Sequence, residues 1–208
     1  MKMFKKLKVL LFVTIALFML APMGVFANEV KEQTIEATIK GGGIQFEIPS
    51  VEDFGEIELD SQPKTLKAGF DGSFKIMDFR GTHDGYRVDV SATPVTIKTP
   101  AGGFKNGTSA FSLPEGSLSL APISNVVSIG SAATAPRVMT NSNQIIDNGT
   151  VTILSAAKGT GMGHFEFSFS DALSLVVKND TTFIDKVNYP NTGTPYESTV
   201  TWSLVTAP

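Results

Sequence analysis

His83 and His164 are the only imidazoles in a chain of 208 residues, and so the only side chains whose ordinary pKa suits proton transfer near neutral pH. Each stands close to glycine (Gly81 and Gly85 around His83, Gly163 before His164), which places both in turns. Neither a Gly-x-Ser-x-Gly elbow nor a His-Glu-x-x-His pair accompanies them. The chain has no cysteine, which excludes a thiolate nucleophile, a thiolate zinc site and a disulfide framework. Glu52, Asp53, Glu56, Glu58 and Asp60 offer hard oxygen ligands of the kind Ca²⁺ takes, but without the spacing of a calcium loop. They read as a solvated face, with Glu56 and Glu58 on one side of a strand and Ile57 and Leu59 on the other. Gly159-Thr160-Gly161-Met162-Gly163 lacks the helix and spacing of a phosphate-binding fingerprint and reads as a hairpin loop. No catalytic constellation, metal site or cofactor is expected, and the chain does not read as an enzyme.

The single tryptophan, Trp202, carries more information. Aromatic rings stack on the apolar faces of sugars, and they also build cores. Trp202 therefore reads as a carbohydrate platform or as a core residue, and both readings stay open.

The elements that must position these residues alternate with a period of two. Ile44, Phe46 and Ile48 share a face, as do Val200, Trp202 and Leu204. Phe74 to Phe79, Tyr86 to Val90, Val151 to Leu154, Phe165 to Phe169 and Ala172 to Val177 read as further strands, with short ones around Leu118, Leu120 and Val126 to Ile129. Residues 99–135 carry long loops rich in Gly, Ser and Pro, and Asp147-Asn148-Gly149 marks a tight turn. No sustained helical period appears. The expected fold is all-β: a single antiparallel β-sandwich or barrel-like domain with long Gly/Ser/Pro-rich loops.

Residues 1–27 read as a signal peptide. Lys2, Lys5, Lys6 and Lys8 precede the mostly apolar run Val9 to Leu20, and Val25-Phe26-Ala27 offers a cleavage site. The run is shorter than the roughly 20 residues of a membrane span. Removing those four lysines from 17 basic residues leaves 13 against 20 acids, a net charge of −7. An acidic chain of this kind is not expected to bind nucleic acid, or the membrane once the signal is cleaved. Residues 28–43 read as an N-terminal strand or flexible leader ending in Gly41-Gly42-Gly43, and residues 44–208 as one β-domain. No sortase-type signal or hydrophobic tail follows Thr201, so attachment to the cell is expected to rest on binding.

Three blocks resemble the WxL family of Gram-positive cell-surface proteins. The most specific is Tyr196 with Val200, Trp202-Ser203-Leu204 and the closing Ala207-Pro208. A second runs Phe74-Lys75-Ile76-Met77-Asp78-Phe79-Arg80-Gly81, then Gly85-Tyr86-Arg87-Val88-Asp89-Val90; a third is Pro49 with Phe54-Gly55. The family's first Trp-x-Leu motif usually falls where this chain has Tyr86-Arg87-Val88, an aromatic and an aliphatic residue that can still share a strand face. The resemblance implies a secreted protein at the cell wall and cell surface. Its partners would be peptidoglycan, bound non-covalently, and other cell-surface proteins of the same locus. Tyr86, Val88, Tyr196, Trp202 and Leu204 are the implied wall-binding residues. Asp78 and Arg80 are assigned to structure, as an ion pair or turn anchor.

A second reading makes the chain a structural subunit of an extracellular fibre or biofilm matrix. Thr34 to Ile39 would add a strand to a neighbour's edge, hinged at the three glycines. A wall-glycan hydrolase is a third class, for which no carboxylate pair stands out.

Overall fold

Alternation of apolar and polar residues becomes paired strands almost everywhere it occurs. The computed structural model of the protein describes residues 36–206. The signal peptide, most of the leader and the closing Ala207-Pro208 lie outside the described residues. The chain divides into two compact units, Met1–Ile39 and Lys40–Pro208. Of the first, only 36–39 are described; they are exposed and form no strand.

Three four-stranded antiparallel sheets make up the second unit. The first has the order β1 (Ile44–Glu47), β5 (Phe74–Asp78), β13 (Gly163–Phe169), β9 (Ile123–Ile129). The second has the order β10 (Arg137–Val138), β12 (Val151–Ala156), β6 (Tyr86–Ala92), β16 (Val200–Thr206). The third has the order β11 (Gln144–Ile145), β8 (Leu118–Leu120), β14 (Leu173–Val177), β3 (Lys64–Ala68). Two short ribbons, β15 (Tyr196–Glu197) with β7 (Thr96–Ile97) and β2 (Ser50–Val51) with β4 (Phe70–Asp71), complete the architecture. The fold is all-β and sandwich-like, and the described strands do not close into a barrel.

The three larger sheets turn their apolar faces into one core. Phe74, Ile76, Phe165 and Phe167 come from the first sheet, Val88, Val90 and Leu154 from the second, and Leu118, Leu120 and Leu173 from the third. Fully burying such side chains contributes about 1.5–3 kcal/mol each, which lets a cysteine-free domain hold together. Asp78 shares the inward face of β5 and is 4% exposed. Its carboxylate takes a two-point bond from Arg80, Nε to Oδ1 at 2.9 Å and Nη2 to Oδ2 at 2.8 Å, the ion pair expected from the sequence. These Arg80 hydrogen bonds outweigh burial and hold the Asp78 carboxyl below the ordinary carboxylate range.

Three sequence expectations need correction. His164 is not a turn residue: it lies within β13 on the face away from the core, paired with Met77 and Ile129. The adjacent glycine reflects crowding, since a Cβ at Gly163 would lie 2.6 Å from the Ala132 side chain. Residues 56–59 form no strand, although Ile57 and Leu59 are more buried than Glu56 and Glu58. The loop at 159–163 is no hairpin, because β12 and β13 belong to different sheets and the loop carries the chain from one to the other.

Candidate functional site

β16 is an edge strand of the second sheet, paired on one side with β6 along its whole length. Val200, Trp202 and Leu204 point towards the core and are half-buried, while Thr201, Ser203 and Val205 are exposed. The Trp202 ring stacks on Phe74 at 5.4 Å between centroids and 26° between planes. It meets Phe70 at 6.1 Å and Phe169 at 6.0 Å edge-on. Such aromatic pairs add about 0.5–1.5 kcal/mol each beyond area burial. Trp202 thus closes the aromatic end of the core at an open sheet edge, and part of its surface stays accessible.

The antiparallel register brings the two aromatic-x-aliphatic motifs together. Leu204 lies opposite Val88, Trp202 opposite Val90, and Thr206 opposite Tyr86. Tyr86 is 2% exposed and Val88 fully buried. The Tyr86 hydroxyl donates to the Gly161 carbonyl at 3.2 Å. Burial, reinforced by the Asp78 charge, pushes its phenol pKa far above the ordinary value, so it stays a neutral donor. Gly161 must be glycine here: its φ is +76°, and a Cβ would lie 2.9 Å from the Tyr86 ring. Tyr196 is not brought to this pair. It sits half-buried on β15, where its hydroxyl donates to the Phe183 carbonyl at 2.8 Å and accepts the Phe183 N–H at 3.2 Å.

Two surfaces built on this framework were not evident in the sequence. The first is the outer face of β6 and its neighbours. Arg87 Nε donates to Asp89 Oδ2 at 2.8 Å, and Thr152 Oγ1 donates to Asp89 Oδ1 at 2.7 Å. Burial opposes the Asp89 charge, but these two bonds and the Arg87 charge outweigh it, so the carboxyl lies below its usual range. Ser203 and Thr201 of β16 stand opposite Asp89 and Ser91, and Ser155 opposite Arg87. A row of hydroxyl, carboxylate and guanidinium groups therefore runs across three strands.

The second is a cavity of about 330 Å³ beside the aromatic end of the core. Phe70 and Phe169 line it, with centroids 5.0 Å apart, and both touch Trp202. Lys67 Nζ and Asp171 Oδ2 pair at 2.7 Å among the residues that line it. Phe70 and Phe169 are 99 positions apart in the chain, and only the sheet topology brings them together.

For acid–base chemistry the arrangement offers little. His83 occupies a left-handed turn at φ 62°. His164 has its Nε2 3.9 Å from Glu166 and without a hydrogen bond. Among the described residues, no group of three or more His, Cys, Asp or Glu side chains could hold a metal ion.

A family model described as a WxL domain, surface cell wall-binding, matches residues 24–208. Neither a curated protein nor a solved structure gives a significant match. The match spans most of the chain, and the chain belongs to the WxL family: it is a cell-surface protein with a cell-wall-binding domain.

Proposed function

We propose that this WxL-family chain is secreted, is released from its signal peptide after Ala27, and attaches non-covalently and without catalysis to the peptidoglycan of a Gram-positive wall. The observation that carries this reading is the pairing of the two motifs on β6 and β16, with their apolar members turned inward and a polar row turned outward. Glycan strands and their stem peptides present hydroxyls, amides and carboxylates, which such a row can meet through many modest hydrogen bonds. Tyr86, Val88, Trp202 and Leu204 serve this surface from beneath, by fixing the register of the two strands. Tyr196 serves it at one remove, by tying β15 to the backbone at Phe183.

The test is co-sedimentation of residues 28–208 with sacculi before and after chemical removal of their attached polymers. Undiminished binding to the stripped sacculi is expected. Binding that disappears with the polymers would place the ligand outside peptidoglycan. Pelleting is also expected to survive a rise in ionic strength, because a domain of net charge −7 gains little by charge from an anionic wall.

A further inference from the structure

The cavity beside Trp202 combines an aromatic and a polar surface. One is aromatic: Phe70 and Phe169 are only half-buried although they pack on each other and on Trp202. The other is polar: Lys67 brings an ammonium, Asp171 a carboxylate and Ser168 a hydroxyl, and all three residues are exposed. A pyranose ring has the matching division, with C–H faces that stack on aromatic rings and an equatorial rim of hydroxyls and amides that forms hydrogen bonds. At about 330 Å³ the cavity lies at the low end of the ~300–1,000 Å³ usual for ligand sites, which suits a single ring system better than a folded peptide. The charges also select. Lys67 and Asp171 neutralise each other at 2.7 Å, so the site offers no net attraction to a phosphate or a carboxylate polymer.

We propose that this cavity is a sugar subsite that takes one uncharged N-acetylhexosamine ring of a glycan strand. Phe70 and Phe169 form its stacking wall, and Lys67, Asp171 and Ser168 its hydrogen-bonding rim. Trp202 is a positioning residue: it packs against both stacking rings at 6.1 and 6.0 Å from behind, linking the family's signature tryptophan to sugar recognition without direct contact. The proposal rests on the wall-binding reading for its ligand class, and its test separates the two.

The probe is chitotetraose, an uncharged N-acetylglucosamine oligomer, titrated into residues 28–208. The emission of Trp202, the only tryptophan of the chain, supplies the signal. A saturable change is expected. Asp171→Ala and Lys67→Met should each weaken binding about tenfold, because each removes a hydrogen-bonding group from the rim. Both residues are exposed, so the urea midpoint of either variant should stay within error of the parent. Glycerol phosphate should give no response. Variants that bind like the parent, or a response to glycerol phosphate in place of the sugar, would overturn the subsite. Sacculi are sedimented in parallel. Pelleting without a response to chitotetraose overturns the subsite and leaves wall attachment standing, whereas a response without pelleting supports the subsite and removes the attachment. Absence of both overturns both.

Discussion

Replacing Trp202 with Ala should cost the domain about 4 kcal/mol. An aromatic side chain of this size buries about 150–250 Å² in a core, which at 25 cal/mol/Å² is about 4–6 kcal/mol when complete. Trp202 is half-buried, so roughly half of that applies. Its three ring contacts, with Phe74, Phe70 and Phe169, add a further 1–2 kcal/mol in sum, at about 0.5 kcal/mol each. The total agrees with the ~3–5 kcal/mol observed for aromatic truncations in cores. Against a domain stability of about 5–15 kcal/mol this is a large fraction, enough to populate unfolded chains at 37 °C. Trp202→Phe keeps a ring against Phe74 and should cost about 1–2 kcal/mol. The assay is urea unfolding followed by far-ultraviolet circular dichroism, because the substitution removes the fluorophore. The midpoint should fall with the slope unchanged. A Trp202→Ala unfolding free energy within about 0.5 kcal/mol of the parent would refute the packing argument and make the ring a surface feature.

Three other perturbations follow from the same contacts. Asp147 accepts the backbone N–H groups of Gly116, Ser117 and Leu118 at 3.0 Å each, so Asp147→Ala should cost about 3 kcal/mol in the same urea experiment, and Asp147→Asn less. Gly161→Ala places a methyl group against Tyr86 and Ala156 on a left-handed backbone, and should destabilise by about 2 kcal/mol or more, seen as a lowered Tm. The Asp78 and Asp89 carboxyls are both held below their ordinary pKa. A depressed folded-state pKa gives stability that is present above the unfolded value, near 3.8, and lost as pH falls through the folded one. Stability measured by urea should therefore be level from neutral pH to about 5 and fall below 4, and Arg80→Ala should flatten that acid slope while lowering stability at pH 7.

The strands that build the site are visible in the sequence because each has one apolar face of large residues. Phe74 and Ile76 in β5, Val88 and Val90 in β6, Phe165 and Phe167 in β13, and Trp202 and Leu204 in β16 all follow this rule. β3 escapes it, since Lys64-Thr65-Leu66-Lys67-Ala68 places only Leu66 and Ala68 as apolar residues among lysines. Strands of two residues, such as β10 and β15, are too short for any period to register. Asp147 reads locally as part of a turn, while its three hydrogen bonds reach about 30 positions back along the chain, a relation with no local signal. The two surfaces beside the motifs are hidden for the same reason. Asp89 meets Thr152 across 63 positions and Lys67 meets Asp171 across 104, so topology alone assembles them. For Trp202 the sequence allows a core residue or a platform, and the fold packs it half-buried against three aromatic rings on an edge strand.

Attachment to the wall by binding alone is decided by a sedimentation isotherm. Residues 28–208 are mixed at increasing concentration with purified Gram-positive sacculi at physiological salt, and the pelleted fraction is measured. Saturable pelleting is expected, and it should persist when the salt is raised to about 0.5 M, where the Debye length shrinks to a few ångströms. A natively folded chain that stays in the supernatant at every concentration would contradict it.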